Sequence, residues 1–264
     1  MRKCVDERFS RSEELLGEAA MARLQAARVL VVGVGGVGSW CAEALVRTGL
    51  GKIALVDDDV VAESNVNRQC PATAATVGRA KVEAMAERLR AINPGCEIEA
   101  RVERFTRSSS ESSDSRSSRI SRLTRYDLVV DAIDSVDCKA ELLLAATEAG
   151  VPVVSSMGAA LRMDPTKVKV TWFEKVEGDG LARALRQRFK KLSRFPAAKF
   201  SAVWSSEAPA VLNTGSQRHR GEDQDSVSPC LCVKNKGSLM QVTATFGMCL
   251  ASEAIRILTK GETK

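Results

Sequence analysis

The sequence lacks an unbroken apolar run of the roughly 18–20 residues that a membrane span needs. Its apolar stretches are short, such as Ile53–Val56 and Val151–Val154. They suit buried strands, and no transmembrane segment is expected. There is no C-x-x-C pair among the eight cysteines, so the usual four-thiolate zinc spacing is missing. Met1–Arg11 is charged and holds no apolar leader core. Unpaired thiols without a leader imply a reduced, cytoplasmic setting, with an organelle left open. A single histidine, His219, lies in a polar stretch, and no nucleophile–base pair is evident.

What is present describes an ordinary globular chain. Of 264 residues, 44% are hydrophobic and 27% charged. Such a chain can offset its ordering entropy, which excludes disorder as the general state. Lys and Arg outnumber Asp and Glu by 39 to 33, a net +6. That surplus points toward a polyanionic partner.

Strand-like and helix-like stretches alternate. Strands are expected at Arg28–Gly33, Lys52–Asp57, Glu97–Val102, Asp127–Asp131 and Pro152–Ser155, with Lys167–Phe173 as an antiparallel edge. Helices are expected at Ser39–Thr48, Ala80–Ile92, Lys139–Ala149 and Val242–Leu258. The alternation predicts an α/β fold: a Rossmann-like mixed sheet with helices on both faces. Two segments break the rhythm. Arg107–Arg125 holds nine serines, five arginines and two acids, and has the composition of a disordered insertion. Residues 214–236 form a polar loop that carries His219 and the close pair Cys230-Leu-Cys232. Scattered cysteines of this kind are expected to be inert or in the core.

Gly33-Val-Gly35-Gly36-Val-Gly38 follows a strand and opens a helix. This is the pattern of a phosphate-binding turn. Gly33 permits the tight turn, Gly35 and Gly36 let the backbone approach a phosphate, and Gly38 lets the helix pack closely. Asp57 closes the second strand, where a carboxylate can accept from ribose hydroxyls. NAD and ATP fit these features equally well. The downstream residues favour ATP. Arg68 and Lys81 supply cations for a triphosphate and a departing pyrophosphate, which a dehydrogenase does not need. Asp134 lies just past a strand, at the edge where ligands bind, and can serve Mg²⁺.

These motifs resemble the ThiF/MoeB/HesA superfamily, the bacterial relatives of ubiquitin-activating enzymes. The resembling stretches are G-V-G-G-V-G-S-W, V-D-D-D-V-V-A-E-S-N-V-N-R-Q, V-G-R-A-K, A-I-N-P and D-A-I-D-S. The resemblance implies one adenylating domain over residues 1–264. It implies that Gly35 and Gly38 line the nucleotide and that Asp57 binds ribose, with Asp59 beside it. Asn65, Arg68 and Lys81 would contact the phosphates, and Asp134 the metal and triphosphate. Arg11 would reach the partner's site in a homodimer. ATP and Mg²⁺ are the implied cofactors, with room for a monovalent cation.

Further stretches, among them Asp131–Lys139, Asp164-Pro165-Thr166, Phe200–Ala208 and Met240–Gly247, resemble the tRNA threonylcarbamoyladenosine dehydratase branch. That branch implies a tRNA substrate and leaves open a sulfur-transfer protein partner. Adenylation of a ubiquitin-like sulfur carrier is the alternative, but that class usually keeps two C-x-x-C pairs. A non-catalytic nucleotide- or RNA-binding scaffold is a further alternative, which the joint presence of Arg68, Lys81 and Asp134 disfavours.

Residues 181–199 contain seven basic residues and no acid. Leu181, Leu185, Phe189 and Leu192 fall on one helical face. Arg183, Arg186, Lys190 and Lys191 are expected to face outward, toward tRNA phosphates.

Overall fold

Short β-branched runs bounded by glycine, lysine or aspartate set the strands, and longer 3.6-periodic runs set the helices. The computed structural model describes residues 6–105, 120–210 and 237–260. The strands are β1 (Arg28–Val32), β2 (Lys52–Val56), β3 (Glu97–Arg101), β4 (Leu128–Asp131), β5 (Val153–Ser156), β6 (Val168–Trp172) and β7 (Ser201–Ser205). The main helices are α1 (Ser10–Leu16), α2 (Glu18–Ala26), α3 (Gly38–Thr48), α4 (Lys81–Ile92), α5 (Val136–Glu148), α6 (Gly180–Leu192) and α7 (Met240–Thr259).

The strands form one seven-stranded sheet in the order β3-β2-β1-β4-β5-β7-β6. Every neighbouring pair is parallel except β6 with β7. The mixed sheet and its antiparallel edge agree with the sequence. Strand residues alternate between two cores. Val29 and Val31 face a cluster with Leu45, Met85 and Phe246. Leu30 and Val32 face a second cluster with Leu142, Leu185 and Phe189. The strand order reverses between β1 and β4. Ligands of open α/β sheets bind at that crevice, outside the carboxyl ends of the strands.

Three expectations are refined. Helix α7 has the length and apolarity of a membrane span, although Gln241, Thr243 and Thr245 keep its apolar residues from forming an unbroken run. It serves as a core helix instead: Val242, Phe246, Leu250 and Ala254 are buried against α3 and the sheet. Gly247 permits the approach, since a side chain there would stand 2.6 Å from the Val37 carbonyl oxygen. Most of the serine/arginine segment, residues 107–119, lies outside the described residues; in the part that is described, Leu123 is buried in the second core. The polar loop at 214–236, with His219, Cys230 and Cys232, also lies outside them. Helices α1 and α2 had no counterpart in the sequence reading, because their apolar positions are few: Ala20, Met21 and Leu24 are the buried residues of α2 and α1 buries none.

Candidate active site

The glycine loop leaves β1 and enters α3 at the sheet's carboxyl edge. Gly33 has φ +91°, and a side chain on it would meet the Ala132 carbonyl oxygen at 2.6 Å. Gly38 opens α3, where a side chain would stand 1.9 Å from the Gly33 carbonyl oxygen. The loop's own packing therefore requires both glycines. Gly35 differs: the nearest atom to a side chain there is Gln69 Nε2, at 3.9 Å. It is the open position of the loop, where a phosphate can approach backbone N–H groups. No side chain caps the N-terminus of α3, so its dipole and orphan donors face the same opening.

Asp57, just past β2, braces this loop. Its Oδ2 accepts from the Val34 N–H at 2.6 Å and its Oδ1 from the Asp59 N–H at 2.9 Å. Burial raises the Asp57 carboxyl above the usual range, against the pull of those two N–H groups. Each oxygen keeps a second lone pair for a ribose hydroxyl. Lys81, the first residue of α4, is nearly buried, with its Nζ 2.6 Å from Asp59 Oδ2. Asp57, Asp58 and Asp59 bring their carboxylates together. Asp57 and Asp59 are already engaged by N–H groups and by Lys81, so the trio suits ribose and lysine better than a cation.

Arg68 comes from the loop before α4. Its Nη1 donates to the Ser64 carbonyl (2.8 Å) and to Asn67 Oδ1 (2.9 Å). Its backbone carbonyl accepts from Trp40 Nε1 at 2.9 Å, and a side chain on Gly36 would touch its Cγ at 3.4 Å. Arg68 thus lies directly against the glycine loop. Asn65 uses its Oδ1 to cap its own turn through the Ala62 N–H, and keeps its side-chain N–H₂ for a ligand. Asp134 is exposed and has no hydrogen-bond partner among the described residues. It follows the β4 turn whose Ala132 packs on Gly33 and Gly38. A free carboxylate beside a phosphate cradle suits Mg²⁺, which takes one or two carboxylates and completes its shell with phosphate and water.

Two sets of expected residues lie elsewhere. Arg11 is exposed near the start of α1 and has no partner among the described residues. The neighbouring Phe9 would lie 3.5 Å from a side chain on Gly49, just past the far end of α3. Arg11 is thus two residues from a side chain that packs at the C-terminal end of α3, whereas the glycine loop lies at its N-terminal end. On α6, Arg183, Lys190 and Lys191 are exposed. Arg186 turns inward: its Nη2 donates to the carbonyls of Phe173 (2.9 Å) and Val176 (2.7 Å), and its guanidinium lies 5.0 Å from the centre of the Phe173 ring.

Other polar residues at this edge were given no role by the sequence, although Asp131, Lys139 and Glu207 lie within stretches that carry the resemblance. Asp131 and Lys139 form a fully buried pair at 2.8 Å, and Ser155 donates to Asp131 Oδ2 at 2.6 Å. Glu207 accepts from the backbone N–H groups of Met163 and Asp164, tying the end of β7 to the loop after β5. In that loop the buried Arg162 stands 3.9 Å from Asp179, and its Nε and Nη1 have no hydrogen-bond partner among the described residues. A lysine in a helix and an arginine in a loop look solvated by residue type. The only available hint for Arg162 was its apolar setting, A-A-L-R-M.

The described cysteines fit the inert reading. Cys41, Cys70 and Cys96 are buried, and Cys138 and Cys249 partly so. Burial, then the Glu43 carboxylate, pushes the Cys70 thiol up to about 12.

Comparison with known proteins gives this geometry its context. A tRNA threonylcarbamoyladenosine dehydratase of Escherichia coli is 38% identical over 95% of this chain and 92% of its own. One of Bacillus subtilis is 35% identical over 83% of this chain and 82% of its own. The crystal structure of the E. coli enzyme in complex with ATP superposes with a TM-score of 0.79 at 35% identity, covering 95% of this chain and 93% of that one. The ThiF family model matches residues 9–264, nearly the whole chain, and the chain belongs to the ThiF family.

Proposed function

We propose that the chain is an ATP-dependent tRNA threonylcarbamoyladenosine dehydratase. The carrying observation is the convergence of the open glycine at position 35, Asp57, Arg68, Lys81 and the unpartnered Asp134 at one sheet edge. Full-length similarity to enzymes of that name supports the choice of substrate. In the first step, a carboxylate oxygen of the threonylcarbamoyl group attacks the α-phosphorus of ATP. The bond to the β-phosphate breaks, and pyrophosphate leaves. Arg68 and Lys81 stabilise the charge that builds on the phosphates. In the second step, a nucleophile within the same modification attacks the acyl carbon, AMP departs with the carboxylate oxygen, and a ring closes. The enzyme needs no nucleophile of its own, because the substrate holds one in place.

Asp134 would hold Mg²⁺, which neutralises phosphate charge when bound. In a homodimer, the partner's copy of Arg11 would complete the site, a reading supported by Phe9, close to Arg11 in the chain, packing at the end of α3 away from the glycine loop. Arg183, Lys190 and Lys191 would bind tRNA phosphates. They would add affinity, and base recognition would come from elsewhere. The setting is cytoplasmic.

The test is nucleoside mass spectrometry of threonylcarbamoylated tRNA after incubation with the purified protein, ATP and Mg²⁺. Loss of one water from the modified nucleoside, with AMP as the nucleotide product, is expected. ADP as the product, or AMP formation that depends on a ubiquitin-like protein instead of tRNA, would remove this reading.

A further inference from the structure

Lysine is rarely buried completely, yet Lys139 is fully enclosed, as is its partner Asp131. Lys139 lies in the first half of α5 and Asp131 ends β4. Lys139 Nζ stands 2.8 Å from Asp131 Oδ2 and donates to the Ile133 carbonyl at 2.8 Å. Asp131 Oδ1 accepts from the Ile133 N–H at 3.2 Å, and its Oδ2 also takes the Ser155 hydroxyl. One buried ion pair therefore grips Ile133 from both sides.

The Ile133 carbonyl belongs to the peptide bond that leads into Asp134. Asp134 has no hydrogen-bond partner of its own among the described residues, so the held peptide is what fixes the backbone from which its side chain extends. On the other side of the turn, Ala132 backs onto Gly33 and Gly38. The same grip thus bears on the metal-facing carboxylate and on the phosphate loop.

A buried ion pair is a weak source of stability, because desolvation of both charges offsets most of their attraction. What this pair supplies is fixed geometry. We propose that Lys139 is a positioning residue. Through the Ile133 carbonyl it aims Asp134 at the metal-bound triphosphate and keeps the turn seated on the glycine loop. The inference rests on the ATP-and-Mg²⁺ reading of the site, though not on the identity of the acyl substrate. The competing explanation is that Lys139 only neutralises Asp131.

Two variants separate these roles. Lys139→Met alone would strand a buried carboxylate and is expected to unfold the protein. The double variant Asp131→Asn with Lys139→Met removes both charges and leaves the Ile133 carbonyl unheld. Lys139→Arg keeps the charge but moves it, because a planar guanidinium cannot occupy the position of an ammonium. ATP affinity is measured by calorimetry with and without Mg²⁺, without tRNA, after circular dichroism has shown a folded protein. Both variants are expected to weaken metal-free ATP binding slightly, through the loosened seat of the glycine loop, and to lose about tenfold of the Mg²⁺-dependent gain, as loss of an outer-shell partner does. Lys139→Arg reads the same gain if the double variant fails to fold. A wild-type Mg²⁺ gain in the folded variants would overturn the proposal and leave neutralisation as the role. Failure of the wild type to form AMP with modified tRNA would remove the substrate reading alone, since the calorimetry uses no tRNA.

Discussion

Lys81 Nζ lies 2.6 Å from Asp59 Oδ2, with the lysine 8% exposed and the aspartate 66% exposed. The lysine is held where α4 begins, with Asp59 as its partner. In the proposed site a triphosphate would have to displace or share that carboxylate. An ion pair with one partner this exposed is worth roughly 0.2–1 kcal/mol, so Asp59→Asn is expected to tighten ATP binding by up to about fivefold. Lys81→Ala is expected to lower AMP formation by about 100-fold, the order seen when a charge-stabilising donor is lost. Weaker ATP binding in Asp59→Asn would mean that Asp59 helps hold the nucleotide itself.

Asp57 predicts an acid limit on nucleotide binding. Burial raises its carboxyl, while the Val34 and Asp59 N–H groups pull it back only in part. In the proposed site a ribose hydroxyl would donate to the ionised form. ATP affinity is therefore expected to rise with pH through this raised value and to fall below it. The fall should begin above the ordinary aspartate range near ~3.9. By linkage, the same raised value means that ionising Asp57 weakens the ligand-free fold above that pH. Asp57→Asn should bind ATP about tenfold more weakly, the loss of about one charge-assisted hydrogen bond. It should also lose the acid dependence, and calorimetry across pH reads both.

The sequence made the nucleotide half of this site legible because its constraints are backbone constraints. Only glycine tolerates φ +91° beside the Ala132 carbonyl, so the residue type announces the conformation. Asp57 was legible because it ends a strand of plain apolar character. Lys139 and Arg186 were not. Each is a basic residue in a helix, and helical period alone places such residues in solvent. Lys139 is instead enclosed because Asp131 and the Ile133 carbonyl stand beneath it. Arg186 is drawn in by carbonyls of a short turn after β6. In both cases the partner comes from a different element, and a single periodicity cannot show it.

Glu43 supplies an acid-stability prediction. It is buried on α3 and accepts from Arg88 at 2.5 Å, from Arg47 at 2.8 Å and from the Cys70 thiol at 2.8 Å. Burial alone would raise its carboxyl, but Arg88, Cys70 and Arg47 together bring it down to about 2. The folded value is thus below the unfolded one of ~4.3. The stability it contributes is present above the ordinary glutamate range and is lost as pH falls from there toward about 2. Glu43→Gln is expected to cost about 1–3 kcal/mol at neutral pH, since it leaves the arginines and the thiol without a charged acceptor. It should also flatten the acid limb of a denaturation series. An unchanged acid limb would assign that loss of stability to other carboxylates.

The α6 surface divides into two kinds of basic residue, and a salt titration distinguishes them. Arg183, Lys190 and Lys191 are exposed. Arg188 pairs with Asp137 at 2.8 Å, and Arg194 reaches Glu148 at 3.6 Å, so acids of α5 and the residue ending it already meet part of the positive charge. Arg186 holds the Phe173–Val176 turn. If the exposed three bind tRNA phosphates, each contact contributes about 0.7–0.9 to the slope of log affinity against log salt. Replacing Arg183, Lys190 and Lys191 with glutamine should then reduce that slope by about two while leaving the melting temperature near wild type. Arg186→Ala should behave in the opposite way. It removes three hydrogen bonds to carbonyls, the one to Glu174 long at 3.5 Å, and a cation–π contact, so the melting temperature should fall while the slope stays. A slope unchanged by the triple replacement would make this face an ordinary solvated one and send the search for the tRNA surface elsewhere on the molecule.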